Sequence, residues 1–233
     1  MGILNSAEVV RSVLFVYLAL AFVPMITVFH HRALRARHGD LSGALRYFAA
    51  FFAVFLAGPV LIAIVGAPHP GDVLRMSGLT AGRVGTGLLL AAIGVPVAVI
   101  AGYIGSRDPA LRAQYPFAKA ACASLRRFVP YEIAYLTLYY VPWEFLFRGV
   151  LFLPLIPLIG LAPALAIQAI VATLYHFGHP PTEIVAATAS SFAFGLIASA
   201  TGSIFYPAII HAAVGIATDA FICRRARRAA AAA

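Results

Sequence analysis

Apolar stretches, each about long enough to cross a bilayer, follow one another along this 233-residue chain with only short links between them. A helix rises about 1.5 Å per residue, so roughly 17–25 apolar residues cover the hydrocarbon of a membrane. Seven candidates run from about Glu8 to Val28, Leu45 to Val65, Val84 to Ile104, Val129 to Ile156, Leu161 to Tyr175, Ile184 to Ala200 and Ile204 to Ile222. The fourth carries Pro142, and the fifth is short. With 62% hydrophobic and 11% charged residues, the chain cannot build a water-facing surface of ordinary composition. The expected fold is all-α: a polytopic membrane helical bundle of about seven transmembrane helices.

Charge sets the expected orientation. Lys and Arg gather in cytoplasmic loops. Here Arg32, Arg35, Arg37 and Arg46 follow the first span; Arg107, Arg112, Lys119, Arg126 and Arg127 follow the third; Arg224, Arg225, Arg227 and Arg228 follow the seventh. These odd-numbered exits share one side, which predicts a multi-pass cell-membrane protein with its N-terminus outside and its C-terminus in the cytoplasm. The first span is too long for a signal-peptide core and ends in Phe29, His30, His31 and Arg32 rather than small residues. The net charge of +9 then reflects topology and attraction to anionic headgroups. No basic soluble module is present to bind nucleic acid. Cys122 and Cys223 fall on the predicted cytoplasmic side, where thiols stay reduced, so no disulfide is expected.

The chain changes character near Arg107. Residues 1–105 read as scaffold spans, 106–128 as a basic interfacial segment with a helical turn or more, 129–223 as a core carrying polar residues inside its spans, and 224–233 as an Arg- and Ala-rich tail, frayed and in contact with lipid. Charge at membrane depth is costly and persists when paired or functional. Of eight acidic residues, Glu132, Glu144, Glu183 and Asp219 fall in or at the later spans; of seven histidines, His176, His179 and His211 do.

Glu144 and Arg148 are four apart, which stacks them on one helix face as an ion pair. That arrangement serves a structural salt bridge as well as a site. His176, His179 and Glu183 surround a helix break made by Gly178, Pro180 and Pro181. His211 lies inside the last span, with Asp219 two turns later on roughly the same face. A carboxylate, two or three imidazoles and an arginine can activate water and stabilise the oxyanion of an attacked carbonyl. The implied reaction is amide hydrolysis in a substrate that is itself at the membrane.

At these residues the sequence resembles the CAAX protease and bacteriocin-processing (CPBP) family of intramembrane endopeptidases, whose pattern is Glu-Glu-x-x-x-Arg, Phe-x-x-x-His and His-x-x-x-Asn on successive helices. The resemblance covers about Tyr131 to Asp219 and implies a four-helix catalytic core in the C-terminal half. Glu144, Phe147, Arg148 and Gly149 match the first motif, but Trp143 stands where the leading glutamate, the family's water-activating base, belongs. The stretches Trp-Glu-Phe-x-Phe-Arg-Gly and His-Phe-Gly-x-Pro-x-x-Glu mark a branch that is similar to the myxosortase-like enzymes. In that branch Glu144 takes over the leading role and Glu183 supplies a second carboxylate. The second motif aligns on His176, with His179 the alternative. His211 matches the third, with Gly215 in place of the polar residue and Asp219 one turn on as its substitute.

The resemblance implies that Glu144 and His176 handle water, His211 stabilises the oxyanion and Arg148 holds Glu144. It further implies a membrane-anchored protein or peptide as substrate, cut near its anchor or C-terminal sorting signal. The expected mechanism is glutamate-type and needs no cofactor, although a Glu with two His could bind zinc. An inactive relative, or a binding or transport protein using the same polar cluster, is the competing expectation.

Overall fold

A computed structural model describes residues 6–232; Met1 to Asn5 of the expected scaffold region and Ala233 of the tail lie outside the described residues. All regular structure among the described residues is helical. Helix α1 (Ser6–Ile26) leads through the short α2 (His31–His38) to α3 (Asp40–Gly66). After α4 (Pro70–Met76), α5 (Val84–Gly105) returns to the other end, where α6 (Pro109–Gln114) and a 3₁₀ turn (Lys119–Ala123) follow. The long α7 (Leu125–Ile159), the shorter α8 (Leu161–Tyr175), α9 (Pro181–Thr201) and α10 (Phe205–Ala232) complete the bundle. Six of these, namely α1, α3, α5, α7, α9 and α10, are long and apolar enough to cross a membrane. The fifth expected span, α8, has 15 residues, about 22 Å at helical rise, and stops short of a full crossing. Helix α10 runs on through the Arg- and Ala-rich tail to Ala232.

Burial shows which helix is the centre post. The apolar window of α7 is 61% buried within the bundle, against 11% for that of α5, so α7 faces protein and α5 leaves most of its apolar surface uncovered. Helix α3 presents Ala44, Tyr47, Phe48, Phe51 and Phe55, spaced by three and four residues, as one buried stripe. That stripe meets the aromatic face of α7: Phe48 stacks on Tyr135 with centroids 4.6 Å apart, and Phe51 on Trp143 at 5.9 Å. On the other flank, α5 and α10 come into backbone contact at Gly102, where an added Cβ would lie 2.7 Å from the Val214 carbonyl oxygen. Close approach through a small residue is how membrane helices gain packing without a hydrophobic drive.

Helix α7 is not uniform. Pro142 has no N–H to return to the carbonyl of Leu138, and the backbone widens into π-helical turns at Leu136–Tyr140 and Phe145–Val150. Such turns rotate the following side chains relative to a regular helix and recur at functional sites. The second of them carries Arg148, directly after Glu144.

The basic connections gather at one end and are tied together. The Ala120 N–H donates to Asp40 Oδ2 at 2.8 Å, Arg32 Nη2 to the Gly178 carbonyl at 3.4 Å, Thr182 Oγ1 to Asp108 Oδ2 at 2.6 Å and Arg227 Nη1 to the Cys122 carbonyl at 3.2 Å. The links after α4 and α9 meet at the opposite end, where the Ile204 N–H donates to the Gly78 carbonyl. One expectation is overturned here. Cys122 and Cys223 are joined as a disulfide, with Cα atoms 4.8 Å apart, because the Lys119–Ala123 turn lies alongside the second half of α10. Their sequence separation of 101 hid that adjacency from the sequence.

Candidate active site

The buried centre is built on α7 and α10. Glu144 is fully buried and Arg148, one turn on, is 1% exposed; Arg148 Nη1 donates to Glu144 Oε1 at 3.1 Å. The same oxygen lies 2.7 Å from Nδ1 of His211 on α10. An ionised carboxylate only accepts hydrogen bonds. Nδ1 of His211 is therefore the proton-bearing nitrogen, and Nε2 is left free to exchange a proton. The other carboxylate oxygen of Glu144 is buried without a hydrogen-bond partner. The Arg148 guanidinium lies over the Phe194 ring at 5.3 Å, a cation–π contact that seals it from the side of α9.

Asp219 does not join His211. Eight residues separate them, about 12 Å along α10, and Asp219 instead lies close to Glu132 of α7, two buried acids whose carboxylate oxygens have no hydrogen-bond partner. Gly215, the position at which a polar residue was expected, is glycine because the Tyr140 hydroxyl fills the space: an added Cβ would lie 1.6 Å from it. The Tyr140 ring packs on His211 with centroids 4.8 Å apart.

A second cluster forms at the break between α8 and α9. His179 Nδ1 lies 2.8 Å from Glu183 Oε1, and the Tyr115 hydroxyl donates to that same oxygen at 2.5 Å. His176 caps α8, its Nδ1–H donating to the Ala172 carbonyl at 2.8 Å. Its ring stands 5.0 Å from Trp143 and 5.5 Å from His179. Trp143 in turn lies 6.0 Å from His211. The rings thus form a row from His211 past Trp143 and His176 to His179. The shortness of α8 is what brings its end to the depth of Trp143.

Glu144, Arg148 and His211 are therefore brought into direct contact, His179 and Glu183 into a second contact, and His176 between the two. Among the described residues no three His, Cys, Asp or Glu side chains converge as a metal ion would require. Two groups escaped the sequence reading. Tyr115 lies in the interfacial segment and carries no signal of its own. His31, at the head of α2, is buried with its ring 6.4 Å from His179.

The helical bundle thus encloses a buried carboxylate–imidazole centre. Residues 128–217 match the family described as type II CAAX prenyl endopeptidase Rce1-like, and that segment of the chain is similar to this family of membrane-embedded, glutamic-type peptidases. No curated protein and no solved structure matches the chain.

Proposed function

We propose that this chain is an intramembrane endopeptidase that cuts a protein substrate near its membrane anchor or C-terminal sorting signal, with residues 129–223 as the catalytic core. The observation that carries this reading is the shared Glu144 oxygen, which holds Arg148 and His211 at once inside the bundle. The guanidinium balances the carboxylate charge, and the Nε2 of His211 takes a proton from water. Glu144, sealed from solvent, acts through that imidazole rather than on water itself. The hydroxide oxygen bonds to the substrate carbonyl carbon while the carbonyl electrons move to oxygen. Among the described residues the ion-pair partner of Glu183 is His179, which serves as the proton donor in this reading. His179 gives its Nε2 proton to the amide nitrogen, and the C–N bond breaks with its electrons on nitrogen as the oxyanion re-forms the carbonyl; His211 then releases the proton it took from water and His179 takes one up. His176 lines the space between them.

Exclusion of bulk water strengthens each of these contacts. The basic connections support a cytoplasmic position for that end of the bundle and an N-terminus outside, whereas the Cys122–Cys223 disulfide at the same end favours an oxidising compartment. Cleavage by the purified protein in detergent of peptides carrying a membrane anchor or sorting tail tests the reading. Glu144→Gln and His211→Phe are each expected to lower kcat by about 100-fold or more with helicity retained. Wild-type rates in Glu144→Gln would overturn the assignment. Binding of the peptide without turnover would instead support an inactive relative, the consequence of Trp143 at the leading position.

A further inference from the structure

The second cluster is closed from outside the matched segment, and its geometry constrains one proton. Glu183 Oε1 accepts from Tyr115 at 2.5 Å and from His179 at 2.8 Å, while Oε2 is buried without a partner. A phenol has one proton to give, and Tyr115 gives it to Glu183. At 3.3 Å from His179 Nδ1, the phenol oxygen is therefore an acceptor, so the Nδ1 proton is shared between the carboxylate and the phenol.

We propose that Tyr115 is a positioning residue of the active site: with His179 it fixes Glu183, and so sets how tightly His179 holds the proton it transfers. Burial and the adjacent Glu183 carboxylate push Tyr115 ionisation well above its ordinary range, so it remains a donor throughout the working pH. Its own position is held on both sides. Asp108 caps α6 by accepting from the Ala110 N–H at 2.8 Å and also accepts from Thr182 Oγ1 of α9. Lys119 Nζ donates to the carbonyls of Arg112 and Tyr115, and the Phe117 ring packs 5.0 Å from that of Tyr115. The other titratable groups facing the pair are His176, His30, His31, Arg32, Tyr139, Tyr140 and, further off, Asp219.

This inference rests on the assignment of His179 as proton donor, and its test separates the two. Tyr115→Phe keeps the ring and removes the hydroxyl. Glu183 then has His179 as its only donor and holds the shared proton more tightly, so the alkaline limb of the pH–rate profile moves up by about half a unit to one unit. The plateau kcat is expected to fall by about tenfold with KM little changed. In protein labelled with ¹⁵N-histidine, the His179 Nδ1–H resonance shifts with the substitution. An unmoved limb and an unmoved resonance would overturn the proposal, as would lost activity explained by a lower Tm with the resonance unchanged. If the wild-type protein cleaves nothing, the peptidase reading falls, and the resonance alone still decides whether Tyr115 sets the Glu183–His179 pair.

Discussion

The volume of one methyl group at Gly215 separates a working His211 from a displaced one. The Tyr140 hydroxyl fills the position a Cβ would take, and the Tyr140 ring supports the imidazole that Glu144 orients. Gly215→Ala is therefore expected to push Tyr140 aside, to cost about 1–3 kcal/mol of stability as overpacking does, and to lower kcat by more than its effect on folding explains. Melting and turnover measured on the same preparation check this, and Tyr140→Phe in the Gly215→Ala background should restore part of both. The sequence carried half of this arrangement. His211 was legible as an ionisable residue with no reason to sit inside a span, and its match to Glu144 followed from motif order. That Asp219 lies close to Glu132 instead was not legible, because nominal helix phase puts residues 211 and 219 on one face and says nothing of the roughly 12 Å between them.

Within α7, the pair Glu144 and Arg148 spans the start of the second π-helical turn, where both side chains are turned inward among Trp143, Phe147 and Phe194. A buried ion pair is costly to break because the survivor stays charged and unpaired. Arg148→Met should destabilise the protein by about 3–5 kcal/mol. The double variant Glu144→Gln, Arg148→Met should recover much of that loss, and a thermodynamic cycle over the three variants measures the coupling. The spans themselves were readable from length and apolarity alone, to within a few residues at most ends. The π-helical turns were not, since Pro142 marks a disturbance without saying how the backbone absorbs it. Nor was the depth reached by the end of α8, which depends on packing against Trp143.

Across the whole molecule, the part of the chain that precedes the matched segment was legible only as scaffold spans and a basic interfacial stretch. Yet it supplies Tyr115 and His31 to the basic end of the site, through contacts between segments whose local sequence gives no hint of them. His31 is wedged against Phe117 at 4.7 Å and Tyr47 at 5.8 Å, and its Nδ1 is buried without a hydrogen-bond partner. Burial first, then the neighbouring His30 and His179, push its pKa down to about 3. The unfolded chain binds that proton near pH 6.5, so the folded state loses stability as pH falls from about 6.5 towards 3. Between pH 7 and pH 5 the loss attributable to His31 is about 2 kcal/mol. Thermal melts in detergent across that range check it, and His31→Phe should flatten the dependence. The bond between Cys122 and Cys223 has a consequence of another kind. It closes a covalent ring around residues 122–223, within which the whole of 128–217 is threaded. A single backbone nick anywhere inside that ring would leave one connected molecule, and its two pieces would separate only after a thiol reductant opened the clasp.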